Sequence, residues 1–169
     1  MLNLFPTIKQ IEELTEANSR NRYGFIETAD DRMVKVQFRP WPKLISGTEV
    51  SWIGSWKHER ALSKRCRLFF NQPLGHRNFL TISYIESTFG SSFKNFHLAL
   101  MVLDLLAMRK RCDAVLCELS NDRISDRLMI RWGWERHLPG STKRHWIKRF
   151  YGDFSRVELA NATRQTVKN

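Results

Sequence analysis

The spacing of apolar and polar residues changes period several times along this chain, and each change marks an element. Tyr23 to Thr28 and Met33 to Phe38 are rich in aromatic and β-branched residues and flank Ala29-Asp30-Asp31-Arg32, a polar break of hairpin length. Glu49 to Trp56 and Lys64 to Asn71 read as further strands, and the turn Pro73-Leu74-Gly75 leads into another at Phe79 to Glu86. From Ser92 to Arg111 the period becomes helical. Phe93, Phe96, Leu100, Leu103 and Ala107 form one stripe, and Leu98, Met101, Val102 and Leu105 widen it into a face broad enough to pack on a sheet. Arg109, Lys110 and Arg111 close that helix, where cations complement the negative end of its dipole. Ahead of the strands, Phe5, Ile8, Ile11 and Leu14 recur every third residue around Pro6 and predict a short amphipathic helix. Pro40-Trp41-Pro42 would interrupt any strand ladder and reads as a connector.

The stretch Ala114 to Glu135 carries the most information. An apolar run of strand length ends at Ser120-Asn121, and Ile124, Leu128 and Trp132 then recur with helical spacing. Gly133 supplies the left-handed residue that stops this helix, and Trp134 is expected to pack under the sheet. Taken in order, the elements predict an α/β fold with a mixed central sheet flanked by helices. The helix at 92–111 crosses over between the strands at Phe79 and Ala114.

A strand ending in Asn, a helix stopped by Gly133-Trp134-Glu135 and a final antiparallel pair together resemble the last third of the GNAT superfamily of acyl-CoA-dependent N-acyltransferases. The resemblance spans about residues 49–151 of a single domain, with the helix and hairpin of 1–45 as a flank and 155–169 as a polar tail. It implies transfer of an acyl group from acetyl-CoA, or another acyl-CoA, to a small-molecule or protein amine. In that family a Gly-rich loop and the following helix N-terminus hold the cofactor pyrophosphate, because orphan amides and the positive dipole end attract phosphate. The stretch Ser87 to Asn95 stands there with a single glycine, so Gly90, Ser91, Ser92 and Lys94 are the residues to hold phosphate, and Asn121 matches the family's strand-end Asn. A turn with a serine cap is the competing reading. Glu86 and Glu118, at the ends of adjacent central strands, are the carboxylates to accept an amine proton, with Tyr84 beside them. Pairing with a nearby arginine is their structural alternative. Met129 stands where many members place a tyrosine that protonates the departing thiolate, and methionine cannot transfer a proton.

Composition adds one strong feature. A formal charge of +11 over 169 residues, with a pI near 10.1, attracts phosphates, anionic cofactors or nucleic acid whatever the fold. Arg123, Arg127 and Arg131 repeat every fourth residue, and Lys143, Arg144, Lys148 and Arg149 follow, interleaved with Trp146 and Tyr151. This gives the alternative function: a non-catalytic protein of the same fold that binds nucleic acid or another acidic partner through that surface. A solvated face is the competing reading. The three cysteines form no C-x-x-C pair and are expected to be buried free thiols. No apolar run approaches the roughly 18 residues of a membrane span, which predicts a soluble, cytoplasmic protein without a membrane partner. His137 and His145 flank a Pro139-Gly140 turn and are expected to approach each other in a hairpin, without a third ligand to make a metal site.

Overall fold

A computed structural model describes residues 5–15, 20–42, 64–88, 90–120 and 122–158. Their strands are β1 (Thr7–Ile8), β2 (Tyr23–Ala29), β3 (Arg32–Arg39), β4 (Arg65–Asn71), β5 (Phe79–Ser87), β6 (Ala114–Leu119), β7 (Glu135–His137) and β8 (Arg144–Arg149). The helices are α1 (Phe93–Arg109) and α2 (Asp126–Arg131). All eight strands join one sheet in the order β1-β3-β2-β4-β5-β6-β8-β7. Among the described strands only β5 and β6 are parallel, joined through α1, so the fold is α/β with a mixed sheet.

The β2–β3 hairpin turns at Asp30 and Asp31, both with positive φ, the conformation that matches strand twist in a two-residue hairpin. β2 then pairs with β4 over its whole length, so the N-terminal hairpin is a continuous part of the sheet. Gly24 is required there. A Cβ at that position would lie 2.6 Å from both the Gln37 carbonyl oxygen and the Phe70 ring.

Strand alternation sorts the side chains into two faces. Ile26, Val36, Phe38, Leu68, Phe70, Leu80, Val115 and Trp146 enter the core with Leu100, Leu103 and Leu106 of α1. The helix therefore covers one face. Its N-terminal end is tied to the sheet at Thr28, whose hydroxyl donates to the Asn95 carbonyl at 2.9 Å, and its middle at Lys148, whose ammonium meets Asp104 at 2.6 Å. Ser92 caps α1, accepting from the Asn95 amide. Gly133, at φ +82°, ends the last helical turn and lets Trp134 bury to 2% exposure.

Two expectations are corrected. The spacing of Phe5, Ile8, Ile11 and Leu14 does not make an α-helix: Thr7 and Ile8 pair with β3 as an edge strand, and Ile11–Glu13 form one 3-10 turn. A repeat of three suits that tighter turn, and Ile8 and Leu14 still reach the core. The last helix begins only at Asp126, capped by Ser125, so Arg123 lies ahead of it and the arginine row does not run along one helix. Met129, fully buried, is the residue by which that helix enters the core, while Leu128 and Trp132 are partly buried. The expected strand at Glu49 to Trp56 lies outside the described residues.

Candidate functional site

The parallel strands β5 and β6 form a fork. They pair from Phe79 opposite Ala114 to Ile82 opposite Cys117 and no further, although β5 runs on to Ser87 and β6 to Leu119. A β-bulge on β5 accounts for the separation. Phe70 of β4 faces Ile82 while Phe69 faces Tyr84, so Ser83 is the extra residue, and its hydroxyl donates to the Phe69 carbonyl at 3.3 Å. A bulge bends its strand and increases local twist, which turns the end of β5 away from β6. Ligands in open α/β sheets bind beyond the carboxyl ends of the strands, which is where this fork opens.

Tyr84, Glu86 and Glu118 are brought to that opening, all on the face away from α1. The bulge reverses the alternation of β5 after Ile82, so that Ile85, opposite the core residue Leu68, faces α1 while Tyr84 and Glu86 do not; on β6 Cys117 faces the core and Glu118 does not. Tyr84 is exposed and its ring lies 6.2 Å from that of Phe69. Glu86 is half-buried and sits opposite Arg67 in register. Glu118 is exposed and pairs with Lys143 at 3.0 Å. Beneath Glu86 lies an ion cluster that sequence reading missed. Glu27, only 1% exposed, receives Arg65 at 3.1 Å and Arg67 at 2.8 Å. Its only sequence signal is a glutamate amid the apolar residues of a strand.

The start of α1 closes the same end of the sheet. Gly90 has φ +80°, and the Ser91 amide donates to the Thr88 carbonyl in the turn. The Ser91 hydroxyl is buried with no hydrogen-bond partner. Asp31, from the β2–β3 turn, reaches this helix end: it accepts from the Ser92 hydroxyl at 3.0 Å and lies 3.9 Å from the Lys94 ammonium. Its own amide donates to the Asn95 side chain at 2.8 Å. An internal carboxylate thus stands at the positive end of the dipole. Sequence reading treated Asp30-Asp31 only as turn residues, and nothing local marks that the turn would fold over the helix. Asn121 lies outside the described residues.

Two further residues limit the chemistry. Met129 is 0% exposed, so α2 presents no side chain at that position to a ligand. Cys117 stands at the last rung before the fork opens, but burial pushes its thiol up to about 12, with the Arg144 charge opposing, so it is not a thiolate nucleophile at neutral pH. Cys66 and Cys112 are also free and buried, as expected.

The basic surface expected from Arg123 to Arg149 is largely neutralised. Arg144 binds Asp126 at 3.0 Å, Lys143 binds Glu118, Arg149 binds Glu135, and Lys148 is drawn inward to Asp104. Arg127 and Arg131 are exposed on α2. Asp104 is 5% exposed and lines a cavity of about 630 Å³ between α1, the end of α2 and β8. Burial raises its carboxyl to about 6, and the neighbouring Lys148 charge limits the rise. His137 and His145 do face each other in the β7–β8 register. Among the described residues no three His, Cys, Asp or Glu side chains are grouped to hold a metal ion, and no helix is long and apolar enough to cross a membrane.

Comparison of the chain with protein-family models, with curated proteins and with solved structures gave no match.

Proposed function

We propose that the protein is an acyl-CoA-dependent N-acyltransferase of the GNAT type, acting at the β5–β6 fork. The observation that carries this reading is the bulge at Ser83, where pairing of the two parallel strands stops and their ends are left apart beside a helix N-terminus. The acyl donor supplies an activated thioester. Parallel strand ends that no longer pair with each other suit an extended amide-bearing arm. The buried, unpartnered Ser91 hydroxyl and the Lys94 ammonium suit its phosphates, with the glycine at position 90 leaving open space around the backbone.

In transfer, the amine nitrogen bonds to the acyl carbon, the carbon–sulfur bond breaks, and one proton must leave the nitrogen. Glu86 and Glu118 lie on the face where an amine approaches the fork, and either accepts that proton directly or through water. Glu118 is the more accessible, its partner Lys143 being exposed and easily displaced. The departing thiolate takes its proton from solvent, since methionine replaces a proton donor at position 129. The alternative of a binding surface along Arg123 to Arg149 has less support, because four of its cations are already matched by carboxylates.

Acetyl-CoA titrated into the protein is expected to raise its melting temperature, since ligand at about 100 times its dissociation constant adds about 2.7 kcal/mol. Free pyrophosphate should reproduce only a small part of the shift, and added salt should not abolish it. No shift at millimolar acetyl-CoA rules the reading out. With binding established, Glu118→Gln and Glu86→Gln identify the base by which of them lowers turnover about 100-fold or more.

A further inference from the structure

We infer that the protein has a second site, at the opposite end of α1, that binds the phosphodiester backbone of a nucleic acid. There the structure gathers cations from three distant parts of the sequence. Arg20 and Arg22 precede β2, Arg77 precedes β5, and Arg109, Lys110 and Arg111 end α1; with Gln72 they line an open concavity of about 570 Å³. Among the described residues no carboxylate lines it. Four arginines elsewhere in the sheet behave differently: Arg65 and Arg67 share Glu27, Arg144 takes Asp126, and Arg149 takes Glu135. Among the described residues, the guanidiniums of Arg20, Arg22, Arg77 and Arg109 have no ion-pair partner. Like charges held together in a concave surface repel, and a polyanion is what relieves them.

The floor of the concavity is built. Gln72 is buried, its side-chain amide donating to the Arg77 carbonyl and its oxygen accepting from the Lys110 ammonium at 3.1 Å. The same ammonium donates to the Asn21 carbonyl at 2.8 Å, so the half-buried lysine ties the three segments together. The helix end is also unusual. Cys112 donates to the Ala107 carbonyl and Arg111 to the Met108 carbonyl, which places Arg111 at the position after the helix where glycine is preferred, at φ +54°. An arginine in the left-handed region costs about 1 kcal/mol or more, a strain that a functional side chain explains.

The lining also decides the class of ligand. Among the described residues the lining is six cations and one amide, with no aromatic side chain on which to stack a base and nothing apolar to enclose a sugar. It reads phosphates alone. Arginine dominates it, and the planar guanidinium fork meets phosphate oxygens in pairs. Recognition of this kind is independent of base sequence and steeply dependent on salt.

The test is fluorescence anisotropy with a 20-nucleotide single strand and a 20-base-pair duplex across 50 to 200 mM salt, on the whole protein. The variant Arg77→Gln/Arg109→Gln/Arg111→Gly removes three charges and puts glycine at the left-handed position, so its melting temperature should hold or rise. Its affinity should fall alike for unrelated sequences, and the slope of log affinity against log salt should drop by about 0.7 per lost contact on single strands or about 0.9 on duplex. The control Arg127→Gln/Arg131→Gln/Lys143→Gln, with the same charge change elsewhere, should leave the slope in place. The inference is overturned if the unaltered protein binds neither oligonucleotide at 50 mM salt, or if the control lowers the slope as much as the site variant. It is equally overturned if inorganic tripolyphosphate binds while neither oligonucleotide does.

Discussion

The two ends of α1 solve the same electrostatic problem in opposite ways. At the N-terminus most polar groups are matched within the protein, and the Ser91 hydroxyl is the exception. Asn95, 1% exposed, accepts from the Asp31 amide and donates to the Lys64 carbonyl, while Asp31 sits between the Ser92 hydroxyl and Lys94. At the C-terminus cations accumulate beyond anything the helix needs. One or two of them complement the dipole, an effect of about 0.3 to 1 kcal/mol each confined to the last turn. Six cations around one concavity exceed that need and add mutual repulsion. The first end joins the hairpin to the helix and leaves little beyond the Ser91 hydroxyl for the phosphates of the proposed donor; the second is held ready for an external anion. Surface charge therefore carries functional meaning where cations gather in one concavity, and less where a cation sits against its own carboxylate.

The largest effect expected from this contrast is at Asn95. Asn95→Leu removes the partners of the Asp31 amide and the Lys64 carbonyl, each loss costing about 1 to 3 kcal/mol, and should lower stability by about 3 kcal/mol, or roughly 10 °C in melting temperature. Arg77→Gln with Arg109→Gln should lower it by nothing measurable. If thermal melts showed the second variant as damaged as the first, the C-terminal cations would be structural and the contrast would fail.

A smaller effect concerns Lys110. Burial, reinforced by the Arg22 charge and opposed by Cys112, pushes its ammonium down to about 8. An unfolded lysine titrates near 10.4, so between about pH 8 and 10 the unfolded chain binds more protons than the folded one, and this group's contribution to stability rises with pH. The buried thiols act in the other sense, since Cys66, Cys112 and Cys117 are raised to between about 11 and 12 and oppose folding above about pH 8.5. The measurable quantity is thus a difference: the unfolding free energy of the unaltered protein minus that of Lys110→Met should increase from pH 8 to pH 10. Bound oligonucleotide should raise the lysine's titration point and shift that increase upward. A flat difference in denaturant titrations at both pH values would remove Lys110 from the charged cluster.

The smallest effect is at the other end. Asp31 is half exposed, and its charge competes with phosphate for the α1 N-terminus. Asp31→Asn should tighten acetyl-CoA binding about two- to fivefold, by calorimetric titration, at a cost of a few tenths of a kcal/mol in stability. Weaker binding in that variant would mean that the carboxylate helps to organise the phosphate site instead of blocking it.

Period and punctuation in the sequence were enough to determine most elements of this protein. Strand alternation at Tyr23 to Thr28 and Phe79 to Glu86, the broad stripe of α1 and the stop at Gly133 all follow from local backbone preference and from which face must avoid water. The fold class and the place of Glu86 and Glu118 at the ends of neighbouring strands followed from those elements in order. Spacing misled at Ile8 and Ile11, where a repeat of three fits a 3-10 turn as readily as a helix, and at Arg123, because a residue four before a helical one need not be helical itself. Only the tertiary structure decided the rest. The bulge that opens the fork depends on how β5 registers against β4, the carboxylate at α1 depends on where a hairpin turn comes to lie, and the cationic concavity joins residues 20, 77 and 109. Each is a relation between segments far apart in the chain, fixed by strand pairing and core packing, and no local pattern of residues encodes which distant side chains will meet.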